Sequence, residues 1–171
     1  MKILKYGNPI LRKKAKAVSK IDDKIRKLVD DMFYTMRNSN PQGIGLAAPQ
    51  VGVLLKIIII EVQKDEPLSL VNPVIVKVSG KETALEGCLS IPGIFGNVER
   101  AKKIEVKGIN PYTNNKVVIQ AQGLKARAIQ HEIDHLNGIL FTDYIEKVED
   151  LTIDEGYKLP EKLIERFKGK E

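Results

Sequence analysis

Cysteine and histidine are both scarce in this chain of 171 residues, which contains one cysteine, Cys88, and two histidines, His131 and His135. A single cysteine excludes a disulfide within the chain. A lone thiol is most often a small apolar core residue, so any other role must be argued from its neighbours in the sequence. Both histidines lie in one short motif, which argues against their being ordinary core residues scattered along the chain.

Long hydrophobic runs are also lacking. A membrane-spanning helix needs roughly 20 apolar residues. The longest apolar run here, "VGVLLKIIII", is interrupted by Lys56. The opening "MKILKYGNPILRK" has no apolar segment of signal-peptide length before a small-residue cleavage site. We therefore expect a cytoplasmic protein that does not enter a membrane.

Acidic residues are missing from the start of the chain, although the net charge of the whole is only +6. Such a basic end favours contact with an anionic partner such as RNA or a membrane surface, whereas the simpler interpretation is a solvated surface without a partner. An apolar content of 43% over this length allows a substantial core, so we expect one domain over residues 1–171. The basic residues before the first acid, Asp22, are Lys2, Lys5, Arg12, Lys13, Lys14, Lys16 and Lys20.

Three helical segments are predicted in addition to the histidine motif. Apolar residues at helical spacing predict an amphipathic helix over residues 22–38. Asn8 as a cap and Pro9 at a first helical position predict a short turn of helix near the start. Near the other end, "LPEKLIERFKGK" predicts a short helix with Pro160 in its first turn. The segment "NSNPQGIGLAAPQVG" is predicted to be irregular but packed, because it combines glycine and proline with many apolar residues.

The middle of the chain is rich in β-strand patterns. The runs "LKIIIIEV" and "SLVNPVIVKVSG" predict strands, and "KKIEVKGINPYTNNKVVIQAQG" predicts a hairpin with a turn at Asn-Pro-Tyr-Thr-Asn-Asn. Between them, "ETALEGCLSIPGIFGNVERA" mixes strand residues with glycine and proline, so its structure is left open.

The motif His-Glu-x-x-His occurs within "QHEIDHLNG", residues 130–138. At about 100° per residue, His131 and His135 of a helix lie about 40° apart and can converge on one cation. Glu132 projects to the side of that cation, where a carboxylate can take a proton from an activated water and pass it to a leaving amine. The motif therefore favours a metal-dependent hydrolase over a purely structural helix.

The helix that carries this motif is predicted over residues 124–137, with Gly138 as its stop. Leu124 and Ala128 share the histidine face, and a second apolar group gathers on the opposite side. A helix that is apolar on both broad faces is a central, buried element. The opposite group comprises Ala126, Ile129, Ile133 and Leu136.

A catalytic metal site of this kind usually has three protein ligands and one open position. No histidine follows His135, so the third ligand is either a downstream carboxylate or Cys88, which precedes the motif. Two imidazoles and a thiolate suit zinc or ferrous iron. The downstream candidates are Asp143, Glu146, Glu149 and Asp150.

Three separated blocks make the chain resemble the peptide deformylases, which remove the formyl group from the N-terminal formyl-methionine of new proteins. The blocks are "GIGLAAPQ" at residues 43–50, "EGCLS" at 86–90 and "QHEIDHLNG" at 130–138. The resemblance extends over almost the whole chain. It implies an α+β fold, with antiparallel β-sheets packed around a central metal-binding helix, an N-terminal amphipathic helix outside it and a short C-terminal helix.

The resemblance also implies roles for individual residues. Cys88, His131 and His135 would bind the metal, Fe²⁺ by resemblance, although the same ligands would accept Zn²⁺, Ni²⁺ or Co²⁺. Glu132 would be the general acid and base. The side-chain amide of Gln50 and the backbone N–H of Leu89 would donate to the developing oxyanion, an interaction that contributes about 3 kcal/mol per donor in comparable sites.

Substrate contacts follow from the same comparison. Gly43 and Gly45 would let the main chain approach the substrate, and an apolar wall of Ile44, Leu124 and Ala128 would hold the methionine side chain. Glu86 and Arg100 would form an ion pair that supports the cysteine loop. In residues 93–96 the chain reads Gly-Ile-Phe-Gly where some relatives are polar or basic, which suggests apolar contact with the rest of the peptide.

Two other functions remain open from the sequence: a generic zinc endopeptidase with a downstream third ligand, and a basic ribosome- or RNA-associated protein whose metal site is structural. The expected partners are N-formylmethionyl nascent polypeptides, with contact to the ribosome because the substrate emerges there. DNA and membranes are not expected as partners, and a monomer is expected.

Overall fold

A computed structural model describes residues 1–169, which form helices and antiparallel sheets. The helices are α1 (Asp23–Arg37), α2 (Gly123–Leu136) and α3 (Glu161–Lys168). The mixed architecture confirms the predicted α+β class, and the two longer helices lie within one residue of the predicted ranges. Within residues 1–169, none of the helices has the length and apolar composition needed to cross a bilayer.

The larger sheet has five strands in the order β1–β2–β3–β6–β7, all antiparallel. Its last pair is the hairpin predicted from the alternating pattern, with Val106 opposite Ile119. The strands are β1 (Gly45–Ala47), β2 (Ile57–Ile60), β3 (Leu68–Ser79), β6 (Lys103–Ile109) and β7 (Lys116–Gln122).

The smaller sheet has three strands in the order β4–β5–β8. They are β4 (Glu82–Cys88), β5 (Ile91–Arg100) and β8 (Leu151–Ile153). The segment "ETALEGCLSIPGIFGNVERA", for which the sequence predicted no definite structure, is thus the β4–β5 hairpin. Its glycines lie where other side chains pack closely against the backbone. A Cβ on Gly87, for example, would lie 2.5 Å from the Phe95 ring, and a strand glycine commonly marks such an approach.

Strand β2 explains why four consecutive isoleucines occur without alternation. Ile58 and Ile60 pack into one cluster with Ile129 and Leu136 of α2. Ile57 and Ile59 face the other way, into a cluster with Val29, Met32 and Met36 of α1. A strand covered by a helix on each face is apolar throughout, and α2 is therefore the central helix that its two apolar faces predicted.

Short local features set the ends of the helices. The side chain of Asp22 accepts a hydrogen bond from the N–H of Ile25 and so caps α1. Gly138, just beyond α2, has a φ of +73°, which fits its predicted role as a stop. The predicted turn of helix near the start is a 3-10 turn, Pro9–Arg12, capped by Asn8.

The loop that was predicted to be irregular is more regular than expected. It contains β1 and a 3-10 turn, Ala48–Val51. The error has a physical reason: β1 has only three residues and is buried along its whole length, so it shows no alternation, and it is defined by its pairing with β2. The expectation that this loop is packed is correct.

Helix α3 packs into a third apolar cluster, which lies apart from the two clusters on the faces of β2. Leu163 and Phe167 pack with Ile91 and Ile94 of β5 and with Phe141. The C-terminal helix is therefore confirmed, and the last residue of the segment from which it was predicted, 170, lies outside the described residues, as does 171.

Candidate metal centre

Cys88, His131 and His135 come together between the smaller sheet and α2. Cys88 is the last residue of β4, and the histidines lie one turn apart on α2. Their ligand atoms all lie within 4.8 Å of one another, and Cys88 Sγ is 3.4 Å from His135 Nε2. The two sequence-distant parts of the predicted ligand set therefore meet.

The donor set fits a divalent transition metal. One thiol and two imidazoles, grouped at this spacing and with both histidines buried, are ligands suited to zinc or ferrous iron. Among the described residues this is the one group of its kind, and it contains none of the downstream carboxylates. Asp143 instead forms an ion pair with Arg12 at 2.6 Å. Of the two alternatives, Cys88 and not a downstream carboxylate is the residue placed to supply a third ligand.

Glu86 orients the ring of His131 through a hydrogen bond at Nδ1. Its Oε2 lies 3.0 Å from His131 Nδ1, and an ionised carboxylate can only accept, so Nδ1–H is the donor and Nε2 is left for a metal. Arg100 Nε donates to Glu86 Oε1 at 2.8 Å and Nη2 donates to Oε2 at 2.9 Å. Burial raises the pKa of Glu86, but hydrogen bonds from Arg100 and His131 outweigh it and lower the pKa to about 2. The predicted ion pair is present and is buried.

Sequence reasoning missed two further members of this network. Arg127 donates to Glu86 Oε1 at 2.9 Å, and Asp134 accepts from Arg100 Nη1 at 2.5 Å. Arg127 precedes His131 by four residues, so it lies on the same face of α2. A cation on the histidine face of a buried helix was the signal that an anionic partner such as Glu86 had to exist.

Glu132 is buried next to the ligand group. Its Oε1 lies 4.0 Å from His131 Nε2, and its Oε2 has no hydrogen-bond partner among the described residues. Burial raises the pKa of Glu132 to about 7. A carboxyl group with this pKa can both take up and release a proton near neutral pH. Gly45 leaves room for it, because a Cβ there would lie 2.8 Å from Glu132 Oε1.

Gln50 points its amide nitrogen toward the cysteine. Its Oε1 accepts from the N–H of Ala47 at 2.9 Å, which leaves the NH₂ group to face Ser90 Oγ at 3.1 Å and Cys88 Sγ at 3.6 Å. Ser90, which the sequence did not single out, is fully buried and so helps to fix this orientation. Leu89 follows Cys88 directly, so the two predicted oxyanion donors lie on neighbouring loops.

A cavity of about 280 Å³ opens onto this group. Gly43, Ile44, Gly45, Leu124 and Ala128 all line it, as do the catalytic candidates. Leu124 and Ile44 remain 53% and 39% exposed, so part of the apolar wall is available for contact. Larger clefts of about 570 and 700 Å³ lie elsewhere and contain none of these ligands.

Several other residues that line the cavity add to its apolar wall. Gly93, Ile94 and Phe95, from the segment that differs from some relatives, line it together with Leu85 and Pro92. Gly96, the last residue of that segment, is not among the lining residues.

Comparisons with known proteins agree with this geometry. A family model described as Polypeptide deformylase matches residues 1–150. A peptide deformylase of Carboxydothermus hydrogenoformans is 49% identical over 150 residues, which are 88% of this chain and 94% of that protein.

Two solved structures are similar over most of the chain. The crystal structure of a peptide deformylase from Ehrlichia chaffeensis in complex with actinonin has a TM-score of 0.84 at 39% identity and covers 100% of this chain and 97% of that one. The crystal structure of a peptide deformylase from Synechococcus elongatus in complex with actinonin has a TM-score of 0.83 at 42% identity. It covers 88% of this chain and 83% of that one.

Proposed function

Because this chain belongs to the polypeptide deformylase family, we propose how its own residues divide the work of deformylation. The chain is a metal-dependent hydrolase that removes the N-formyl group from newly made polypeptides and releases formate. The observation that carries the residue assignment is the convergence of one thiol and two imidazoles beside a buried carboxyl group in an apolar cavity.

Cys88, His131 and His135 hold the metal. Fe²⁺, one per chain, is the proposed ion, and Zn²⁺, Ni²⁺ or Co²⁺ can substitute because they accept the same ligands. When bound, such an ion lowers the pKa of water to about 7 and polarises a carbonyl group. Glu86 keeps the His131 ring oriented and its Nδ1 protonated, and Arg100 neutralises Glu86, so the imidazole presents Nε2 to the ion.

Glu132 moves the proton. It takes a proton from the attacking water and gives it to the departing amine of the formamide, which is the step that a carboxyl group with a pKa of about 7 suits. Gln50 Nε2 and the N–H of Leu89 donate hydrogen bonds to the oxygen of the formyl group as negative charge develops on it.

The apolar wall selects formyl-methionine. Ile44, Leu124 and Ala128 contact the methionine side chain, because they line the same cavity as Glu132 and two of the proposed ligands, Cys88 and His131. The main chain at Gly43 and Gly45 lies close to the substrate. A Cβ on Gly43 would lie 2.5 Å from Leu89 Cδ1, so a larger residue at this position would have to displace the Leu89 side chain, which lines the same cavity.

The setting of the reaction is the cytoplasm, where the chain acts as a monomer of one catalytic domain over residues 1–171. Its substrates are N-formylmethionyl nascent polypeptides, so contact with the ribosome fits the reaction, and the basic residues before Asp22 suit an RNA surface. Co-sedimentation with ribosomes at increasing salt tests this contact; binding that is absent at low salt contradicts it.

Glu132→Gln tests the central assignment. The variant keeps the shape of the side chain but cannot carry the proton, so formate release from a formyl-Met peptide should fall by about 100-fold to 10,000-fold. The protein is purified anaerobically, and metal content is measured on the same sample. Metal should be retained, since Glu132 is not a ligand.

Glu165→Gln is the matched control, because Glu165 is an exposed carboxylate on α3. It should leave activity unchanged. A Glu132→Gln protein that retains both metal and full activity would rule out the assigned role.

A further inference from the structure

Three residues near the N-terminus connect the two loops that carry the proposed oxyanion donors. The N–H of Leu4 donates to Gln50 O at 2.7 Å, and the N–H of Tyr6 donates to Ser90 O at 2.8 Å. Between them, Lys5 Nζ donates to Leu89 O at 2.8 Å. We call residues 4–6 the N-terminal bridge.

The bridge joins main chain to main chain. Gln50 lies on the 3-10 turn Ala48–Val51, whereas Leu89 lies in the turn after β4. An oxyanion needs both donors at hydrogen-bond distance at the same moment, so their separation matters more than the position of either loop alone. The Gln50–Ser90 contact at 3.1 Å links the side chains of the same two loops; the bridge fixes the backbones that carry them.

Lys5 acts on a peptide group that also faces the cysteine. The carbonyl of Leu89, which accepts from Lys5, belongs to the same peptide unit as the N–H of Ser90, which donates to Cys88 Sγ at 3.4 Å. A cation at the oxygen end of a peptide group strengthens its N–H as a donor, because hydrogen bonds in series polarise one another. Lys5 therefore makes one direct contact with the loop, at Leu89 O, and through the same peptide group it strengthens the hydrogen bond from Ser90 N–H to Cys88 Sγ.

The flanking residues anchor the bridge independently of Lys5. Ile3 packs against the cluster of α1 and β2, and Tyr6 packs against the cluster of β5 and α3. Replacing the Lys5 side chain therefore leaves the segment attached to the protein, and the effect of the ammonium group can be measured in a folded chain.

We propose that the N-terminal bridge sets the spacing between Gln50 and Leu89, with Lys5 as a positioning residue for the oxyanion site. This inference rests on the proposed donor roles of Gln50 and Leu89. Within residues 1–169 the side chain of Lys5 forms one hydrogen bond, to Leu89 O, and Lys5 does not line the cavity. Its charge also lies near Cys88, and the Gln50→Ala background separates that effect from the positioning of Leu89.

Lys5→Met removes the ammonium group and keeps the apolar stem. Because small displacements of transition-state donors are costly, kcat per bound metal should fall about tenfold while KM stays unchanged. Lys5→Arg, which can still donate to Leu89 O, should recover most of the loss. Lys24→Met is the matched control, because Lys24 is an exposed lysine of α1 that follows the basic N-terminal stretch and forms no side-chain hydrogen bond within residues 1–169, and the kcat of this variant should equal that of the parent.

The same substitution in a Gln50→Ala background isolates the spacing. Gln50→Ala alone should lower kcat about 100-fold, as the loss of one oxyanion donor does elsewhere. When Gln50 no longer donates, the distance between the two donors no longer matters. Adding Lys5→Met to Gln50→Ala should therefore lower kcat by less than about a further twofold.

Each outcome has one meaning. A tenfold loss that shrinks in the Gln50→Ala background supports the bridge. Equal losses in both backgrounds, an unchanged kcat per bound metal in Lys5→Met, or no recovery with Arg overturns it while the donor role of Gln50 stands. Full activity of Gln50→Ala alone overturns that donor role, and the inference fails with it.

Discussion

The Glu86 network and the ion pairs of α1 contain the same kinds of charged side chains at different depths. The Glu86 network comprises Glu86, Arg100, Arg127, His131 and Asp134. Its central pair, Glu86 and Arg100, has side chains that are 4% and 5% exposed. Arg37 of α1 and Glu61, which follows β2, form a pair of similar geometry whose side chains are 46% and 24% exposed.

The degree of burial determines how much each ion pair contributes to stability. Water and salt screen the pair on α1, so its net contribution to stability is small. In the Glu86 network the charges have given up their hydration, and each depends on its partners to compensate for that loss. The network also ends on His131 Nδ1, so its stability is coupled to the orientation of a ring that we propose as a metal ligand. The Arg37–Glu61 pair contacts none of the candidate metal ligands, and its link to the cavity is through the backbone only, because the N–H of Glu61 donates to Ile44 O at 2.8 Å.

Breaking the Glu86 network should produce the largest effect. Glu86→Gln leaves Arg127 without its carboxylate and Arg100 with only Asp134. We expect the free energy of unfolding to fall by about 3–5 kcal/mol, measured by urea denaturation with a chelator present so that metal binding does not contribute. Zinc affinity, measured by competition, should fall by about 10-fold to 100-fold because the His131 ring loses its orientation.

Glu99→Gln is the control for this variant, because Glu99 lies on the neighbouring strand with a side chain that is 59% exposed. It should change neither quantity. If Glu86→Gln keeps both stability and zinc affinity, the buried network does not orient His131 and the comparison with α1 loses its basis.

The sequence predicted the parts of these two regions unequally. Helices α1 and α2 were predicted well because a period of 3.6 residues is a local signal. The candidate metal ligands could also be picked out from the sequence, because the histidine motif and the single cysteine left few groups to choose from. Strand β1 was missed because only its pairing with β2 makes it a strand.

The network was predicted only in part for a related reason. The pair of Glu86 and Arg100 came from resemblance. Arg127 signalled only that a cation on a buried helix face needs an anionic partner, and Asp134 looks like an ordinary polar position of a helix until the smaller sheet is placed against α2. The N-terminal bridge could not be predicted at all, because its contacts are mainly backbone hydrogen bonds between segments far apart in the chain. Long-range backbone pairing leaves little trace in the side-chain pattern.

Removing the exposed pair should have a much smaller effect. Arg37→Met keeps an apolar stem over the Phe33 ring, where the guanidinium now lies 4.9 Å from the ring centroid, but loses both hydrogen bonds to Glu61. The free energy of unfolding should fall by less than about 1 kcal/mol. In high salt the difference should shrink further, since screening weakens exposed pairs. A loss as large as that of Glu86→Gln would show that depth does not separate the two regions.

The smallest expected effect concerns two tyrosines, one in each region. Tyr112 donates to Asp30 of α1 at 2.5 Å, and Tyr144 donates to Asp134 of the Glu86 network at 2.7 Å. Burial and then the hydrogen bond to the carboxylate raise the pKa of each phenol to about 12. A folded-state pKa above the ordinary value of 10 means that the fold favours the protonated phenol, so its contribution to stability is present below pH 10 and is lost as the pH rises from 10 to 12.

Tyr112→Phe and Tyr144→Phe should therefore each lower the free energy of unfolding by less than about 1 kcal/mol at pH 8, because both residues are partly exposed. The difference in unfolding free energy between each variant and the parent should disappear between pH 10 and 12. It is measured by urea denaturation at each pH, and phenolate absorbance reports the ionisation of the tyrosine. If depth controls the coupling, the Tyr144 difference should be the larger and the less sensitive to salt, because Asp134 also binds the buried Arg100. Equal salt sensitivity of the two variants, or a difference that persists unchanged to pH 12, would contradict this account of the two regions.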